Sequence, residues 1–133
     1  MKYFLFLGAC LFCFACNKRQ AVETLQAQTM AIHDEAMKEM ADMERTSRAL
    51  KQLLTSTDTL PATQPQRDAI AQALALIEKA DADMMNWMQT YSAPDDKPVE
   101  EAVAYLNDQK QKIEKNMSDI KAANAAGKQL LGK

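Results

Sequence analysis

The chain has 133 residues, a length that fits a single domain. Its 16 Lys and Arg residues nearly balance 18 Asp and Glu residues for a net charge of −2, and the two signs are interleaved, which argues against a nucleic-acid-binding protein. With only 3 Gly and 4 Pro among abundant Ala, Met, Gln, Lys and Glu, the composition favours helices over strands.

The chain begins with the pattern of an export signal. Lys2 supplies a positive charge, residues 3–14 are almost entirely apolar, and small Ala15 precedes Cys16. The apolar run is shorter than the roughly 20 residues needed to cross a bilayer, and polar residues follow it at once. We therefore predict an export signal over residues 1–15.

The end of this segment resembles the lipobox of bacterial lipoproteins, in which a small residue precedes a cysteine that is lipidated before signal peptidase II cleaves. The resemblance implies that residues 1–15 are a lipoprotein signal peptide and that residues 16–21 are a lipidated tether. It also implies attachment to a membrane through lipid on Cys16. Cys10, preceded by Leu7, Gly8 and Ala9, matches the motif better letter by letter but leaves only a short apolar stretch ahead of it. An ordinary secretory signal is the remaining alternative. All 3 cysteines lie at or before position 16, so the mature chain is expected to contain no disulfide.

Three amphipathic segments follow, with apolar residues recurring every three or four positions. We predict helices over residues 20–54, 65–91 and 98–130, separated by two corners that contain proline. Pro65 suits the first turn of the second helix, and Asp95 or Asp96 suits the cap of the third. Short connections and one apolar stripe per helix predict an all-α fold, an antiparallel up-down-up three-helix bundle with coiled-coil-like helices over residues 22–133.

Two charged residues interrupt the predicted core stripes at nearly the same level. Asp81 lies in the stripe of the second helix and Lys110 in that of the third. We expect them to form a structural ion pair that sets the register of the helices. Near the end of the third helix, Gly127 is expected to fray the last turns.

The only histidine of the chain lies among methionines. His33 shares an arc of the first helix with Met30 and Met37, which are three and four positions away. Counting back from the first corner places His33 beside the turn from Met84 to Met88, and counting across the second corner places both near residues 102–106. We call the group of one histidine and four methionines the Met/His cluster: Met30, His33, Met37, Met84 and Met88.

The chemistry of the Met/His cluster supports two interpretations. Thioether and imidazole ligands are soft and suit Cu(I), so copper is the alternative cofactor. Methionine is also a common and adaptable core residue, and a methionine stripe at helical spacing is usually packing. We therefore expect no cofactor and keep copper binding as the alternative.

Short motifs on all three predicted helices carry a family resemblance. They are residues 32–37 (IHDEAM), 84–88 (MMNWM), 105–106 (YL) and 112–114 (KIE). In these motifs the chain resembles a group of small Bacteroidota lipoproteins that often carry the label "viral A-type inclusion protein". The resemblance implies a host with two membranes and a location in the cell envelope, and it implies no activity or ligand. Residues 17–20 lack the acidic cluster of that phylum's surface-export signal, so we expect the protein to face the periplasm.

No catalytic pattern stands out in the sequence. It contains no Gly-rich phosphate loop, no Ser/His/Asp set and no paired-histidine zinc motif. We therefore expect a non-enzymatic envelope lipoprotein that is attached to a membrane through Cys16. Its helical module is expected to bind another envelope protein or to serve a structural role. The alternative from a different class is a periplasmic module that binds Cu(I) or another soft metal through the Met/His cluster.

Overall fold

The protein consists of three α-helices in a computed structural model that describes the backbone of residues 9–55 and 63–132 and, within these ranges, the side chains from Arg19 onward. The helices are α1 (Ala9–Thr55), α2 (Gln64–Thr90) and α3 (Val99–Leu130). Each packs against the other two, which confirms the predicted all-α three-helix bundle. In the described part of the chain, no helix is both long enough and apolar enough to span a membrane.

The helix ends agree with the prediction except at the start of α1. α2 and α3 each begin and end within one residue of the predicted bounds, whereas α1 begins at Ala9. Residues 17–21 are therefore helical, since no Gly or Pro interrupts this stretch, and their role as a lipidated tether stays a prediction. The predicted signal peptide lies partly outside the described residues, and so does the side chain of Cys16.

The starts of α2 and α3 are built differently. At α2 the backbone N–H of Thr63 donates to Oε1 of Gln66 at 2.8 Å, and Pro65 lies in the first turn as predicted. At α3 the N-cap is Pro98, so the expected cap by an aspartate is wrong. Both aspartates precede the N-cap, in a turn closed by the N–H of Lys97 and the carbonyl of Pro94.

Buried side chains recur every seventh residue along the helices. A seven-residue repeat is typical of coiled-coil packing, because it keeps one seam of a helix facing its neighbours. The buried columns are Thr29, Ala36, Met43 and Leu50 on α1; Ile70, Ile77 and Met84, with Ala73, Ala80 and Trp87, on α2; and Leu106, Ile113, Ile120 and Gly127, with Ala102, Gln109, Asn116 and Ala123, on α3.

The helices pack in a fixed register, with α1 and α3 parallel. Lys110 Nζ donates to Gln28 Oε1, and Asn124 Nδ2 donates to Asp42 Oδ2; both pairs are separated by 82 residues in the sequence. A constant separation means that the two helices run in the same direction. α2 runs the opposite way beside them and packs more extensively on α3 than on α1.

The predicted ion pair between Asp81 and Lys110 is wrong. Of these two described residues, Asp81 is exposed, and Lys110 Nζ lies 3.3 Å from Gln28 Oε1 and 3.9 Å from a carboxylate oxygen of Glu114. The side chain of Asn116 on α3 donates to the carbonyl of Asp83 on α2, which identifies two residues at one level. Lys110 lies six residues before Asn116, so in antiparallel packing it is level with a position six residues after Asp83, about two turns beyond Asp81.

The extended backbone of the second corner explains this error. Tyr91, where the corner begins, has φ −69° and ψ 134°. An extended residue advances about 3.3 Å along the chain, compared with 1.5 Å for a helical residue. The corner therefore covers more height than a count of its residues suggests, and it shifts every level on α3.

Candidate functional site

Four aromatic rings from all three helices stack in a row, which we call the aromatic row. His33 of α1 stacks on Trp87 of α2 with 5.6 Å between ring centroids, and Trp87 stacks on Tyr91 at 4.8 Å. Tyr91 in turn lies 6.3 Å from Tyr105 of α3. The row joins the three helices near the corner between α2 and α3.

The α2–α3 corner is held against the last ring of the row. The backbone N–H of Ser92 donates to the hydroxyl oxygen of Tyr105 at 3.1 Å. Lys97 Nζ lies 5.8 Å from the centroid of the same ring, a distance at which a cation is attracted to an aromatic face. Tyr105 thus fixes the corner to α3 from both sides.

Two polar atoms inside the aromatic row have no partner. Among the described residues, nothing accepts a hydrogen bond from Nε1 of Trp87 or pairs with the hydroxyl of Tyr91, and both atoms are buried. Burial raises the pKa of Tyr91, and the nearby Tyr105 and Asp95 raise it further.

The predicted level of His33 is right relative to α2 and wrong relative to α3. Its contact with Trp87 confirms that it lies beside the turn from Met84 to Met88. The 82-residue offset between α1 and α3 puts it level with Lys115, so the expected level at residues 102–106 is wrong for the same reason as the ion pair.

One nitrogen of the His33 ring is oriented by the neighbouring carboxylate. Nδ1 lies 3.0 Å from Oδ1 of Asp34, and the His33 side chain is 17% exposed. When Nδ1–H donates to the carboxylate, the neutral ring presents the lone pair of Nε2. No described residue hydrogen-bonds to Nε2.

The four methionines of the Met/His cluster occupy different environments. Met84 is 0% exposed and belongs to the core. Met30 and Met88 are half-buried and pack against that core, whereas Met37 is 38% exposed. Burial thus separates Met84 from the methionines that solvent or a ligand can reach. Within the described residues, no three His, Cys, Asp or Glu side chains group as metal ligands.

A polar network between α1 and α3 was not predicted from the sequence. Asp42 accepts hydrogen bonds from Lys128 and from Asn124, the latter at 2.7 Å, and Arg45 Nη2 lies 3.0 Å from its other oxygen. Thr46 Oγ1 donates to Oδ1 of Asn124 at 2.6 Å. The hydrogen bonds from Lys128 and Asn124 lower the pKa of Asp42 to about 2. One signal for this network was available in the sequence. Asn124 lies four residues after Ile120, a member of the buried column of α3, so the two residues lie on the same face of the helix.

Gly127 lies inside α3 beside this network, and the expectation that it frays the helix end is wrong. It is buried, and α3 continues to Leu130. A Cβ atom at Gly127 would lie 2.5 Å from Cγ2 of Thr46 and 3.2 Å from Cδ1 of Leu50. Glycine therefore leaves room here for side chains of α1, which comes close.

A groove of about 250 Å³ runs between α2 and α3, and we call it the alanine groove. Lys79 donates to Asp83 at 2.5 Å on one rim, and this hydrogen bond raises the pKa of Lys79, with a smaller contribution from Asp119 opposite. Lys115 pairs with Asp119 on the other rim. The lining of the alanine groove also includes Ala80, Ala122, Ala123 and the exposed Leu76.

Three of the four exposed leucines among the described residues are grouped at one end of the bundle, which we call the leucine end, and the fourth, Leu76, lies in the alanine groove. Leu53 and Leu54 near the end of α1 are each 38% exposed, and Leu130 at the end of α3 is 37% exposed. Because α1 and α3 are parallel, these three residues lie at the same end. The α2–α3 corner and the aromatic row lie toward the opposite end.

No protein-family model, curated protein or solved structure matches the chain. The family resemblance of the three helix motifs therefore stays a prediction.

Proposed function

We propose that the protein is a non-enzymatic envelope lipoprotein, anchored in a membrane through lipid on Cys16, whose helical bundle binds another envelope protein. The observation that carries this proposal is the distribution of features along α1. The proposed anchor lies at one end of the helix, and the leucine end lies at the other.

The anchor end suits a bundle that stands close to the membrane. α1 continues as helix from the position of Cys16 to Arg19, without a flexible break. Arg19 and Val22 border a cleft of about 160 Å³ together with Pro94 and Lys97 of the α2–α3 corner. Lipid on Cys16 would therefore keep this corner beside the lipid headgroups.

The leucine end suits contact with a protein at a distance from that membrane. From Arg19 to the end of α1 the helix is on the order of 50 Å long, at 1.5 Å per residue. Leu53, Leu54 and Leu130 would present apolar surface at that height, and burying such surface against a partner is favourable.

Charged pairs hydrate much of the sides of the bundle, where the exposed apolar side chains include Leu76 and Met85. Oppositely charged residues four positions apart pair along single helices, as in Glu44 with Arg48 and Asp108 with Lys112. Such exposed pairs add little stability and keep a helix face hydrated. This contrast supports docking through the end of the bundle. The lipobox and the resemblance to Bacteroidota lipoproteins support an envelope that has two membranes, with the protein facing the periplasm.

Site-specific photo-crosslinking in the host tests the docking proposal. A photoreactive residue replaces Leu53 in the full chain, and an identical residue replaces the exposed Asn86 on α2, far from the leucine end, as the matched control. We expect one adduct of defined mass from position 53, and mass spectrometry of that adduct should identify an envelope protein. Adding Leu130→Asp should abolish the adduct while the helical circular dichroism signal is retained.

Three results would contradict docking through the leucine end. They are no adduct from position 53, the same adduct from position 86, and an adduct from position 53 that persists with Leu130→Asp.

A further inference from the structure

The imidazole ring of His33 is held in one orientation by two neighbouring side chains. Trp87 supports one face of the ring, and the carboxylate of Asp34 holds Nδ1. A carboxylate that accepts the Nδ1–H of a histidine fixes the ring orientation and makes Nε2 a better donor to a metal. The ring is also partly exposed, so an ion can reach it from solvent.

Met37 is the sulfur best placed to join His33. It lies one turn after His33 on α1, whereas Met30 lies one turn before. Side chains of a helix lean toward its N-terminus, so the thioether of Met37 leans toward His33 and that of Met30 leans away. Met37 is also the most exposed of the four cluster methionines, and its unbranched side chain adapts readily.

We propose that Nε2 of His33 and the thioether sulfur of Met37 bind one Cu(I) ion, with the Trp87 ring forming one wall of the site. One imidazole and one neutral thioether are soft ligands, which favour Cu(I) over ions that need oxygen ligands. The single negative charge of Asp34 balances the single positive charge of Cu(I). The site excludes Met84, which the core buries completely.

This site is separate from the leucine end and does not rest on the docking proposal. His33 and Met37 lie near the middle of α1, more than four turns of helix from Leu53. Failure of the crosslinking experiment would leave the metal proposal standing, and failure of the metal experiment would leave docking standing.

Anaerobic competition for Cu(I) tests the site. The full chain is purified in detergent with Cys10, Cys13 and Cys16 changed to serine, because free thiolates would bind Cu(I) themselves. Bicinchoninate, a coloured Cu(I) chelator, serves as the competitor. The fluorescence of Trp87 is recorded in the same titration, and since the chain contains 1 Trp, the signal has one source.

We expect the protein to withdraw one equivalent of Cu(I) from the chelator and the ion to quench Trp87. His33→Gln and Met37→Leu should each weaken binding by at least about tenfold, as expected when a ligand is lost. Asp34→Asn should weaken it roughly tenfold through the orientation of the ring. Met117→Leu is the matched control, because this half-buried methionine on α3 belongs to no proposed site.

Several outcomes would overturn the proposal. They are failure to withdraw Cu(I), unchanged affinity in either His33→Gln or Met37→Leu, and a loss in Met117→Leu as large as in Met37→Leu. Circular dichroism of each variant distinguishes loss of a ligand from loss of the fold, and Leu in place of Met keeps side-chain volume nearly constant.

Discussion

Gly127 stands out among the residues of its buried column on α3. The other members, Leu106, Ile113 and Ile120, bring large side chains to the core, whereas Gly127 leaves room for the methyl group of Thr46. Thr46 cannot easily turn away, since its hydroxyl donates to Asn124 and a β-branched side chain has few rotamers. A single missing Cβ thus allows α1 and α3 to approach.

Gly127→Ala should destabilise the protein although alanine is the better helix former. The gain in helix propensity is about 1 kcal/mol, and the steric cost of overpacking is about 1–3 kcal/mol. We expect a net loss of about 1 kcal/mol in the free energy of unfolding, measured with urea.

A double variant separates the steric cost from other effects of Gly127→Ala. Thr46→Ser removes the methyl group that a Cβ would meet at 2.5 Å and keeps the hydroxyl. In this background Gly127→Ala should be neutral or stabilising. An equal loss in both backgrounds would show that Thr46 is not the obstacle.

Among the elements, α1 and α3 are tied by polar contacts as well as by their apolar columns. Asp42 accepts hydrogen bonds from Asn124 and Lys128. One turn later on α1, Thr46 donates a hydrogen bond to Asn124. Shifting α3 by one heptad would separate these partners while keeping apolar residues in contact. We infer that the polar network selects the register, a role that polar residues also have in coiled coils.

The depressed pKa of Asp42 predicts how stability depends on pH. The folded-state pKa, about 2, lies below the usual value of 3.8, so the carboxylate contributes stability that is present above pH 3.8 and lost as pH falls toward 2. In Asp42→Asn, the free energy of unfolding should fall less between these pH values than it does in the natural protein.

Urea unfolding at several acidic pH values measures this difference. Asp81→Asn is the control, because this exposed carboxylate has no cross-helix partner among the described residues. It should keep the acid dependence of the natural protein. An acid dependence in Asp42→Asn as steep as in the natural protein would contradict the role of the network.

For the whole molecule, the sequence predicts the fold well because apolar periodicity and proline positions record helix faces and helix ends. The same count of residues along α1 and α2 places His33 beside Trp87, as the structure confirms. The predicted levels of residues on α3 are wrong because the extended corner after Tyr91 covers more height than a count of its residues suggests. The sequence does not predict the polar network either, because Asn124 and Asp42 look like surface residues until the register of the helices is known.

The candidate site is predicted only in part. The sequence groups His33 with four methionines, but helical spacing alone does not reveal that Met84 is enclosed by the core while Met37 faces solvent. The pairing of Asp34 with His33 is also invisible to a pattern search, because adjacent helical residues usually point in different directions.

The proposed lipid anchor on Cys16 is tested most directly by intact mass spectrometry of the protein purified from host membranes. We predict a chain that lacks residues 1–15 and begins with Cys16 carrying acyl chains. A full-length chain with an unmodified Met1 would contradict the anchor.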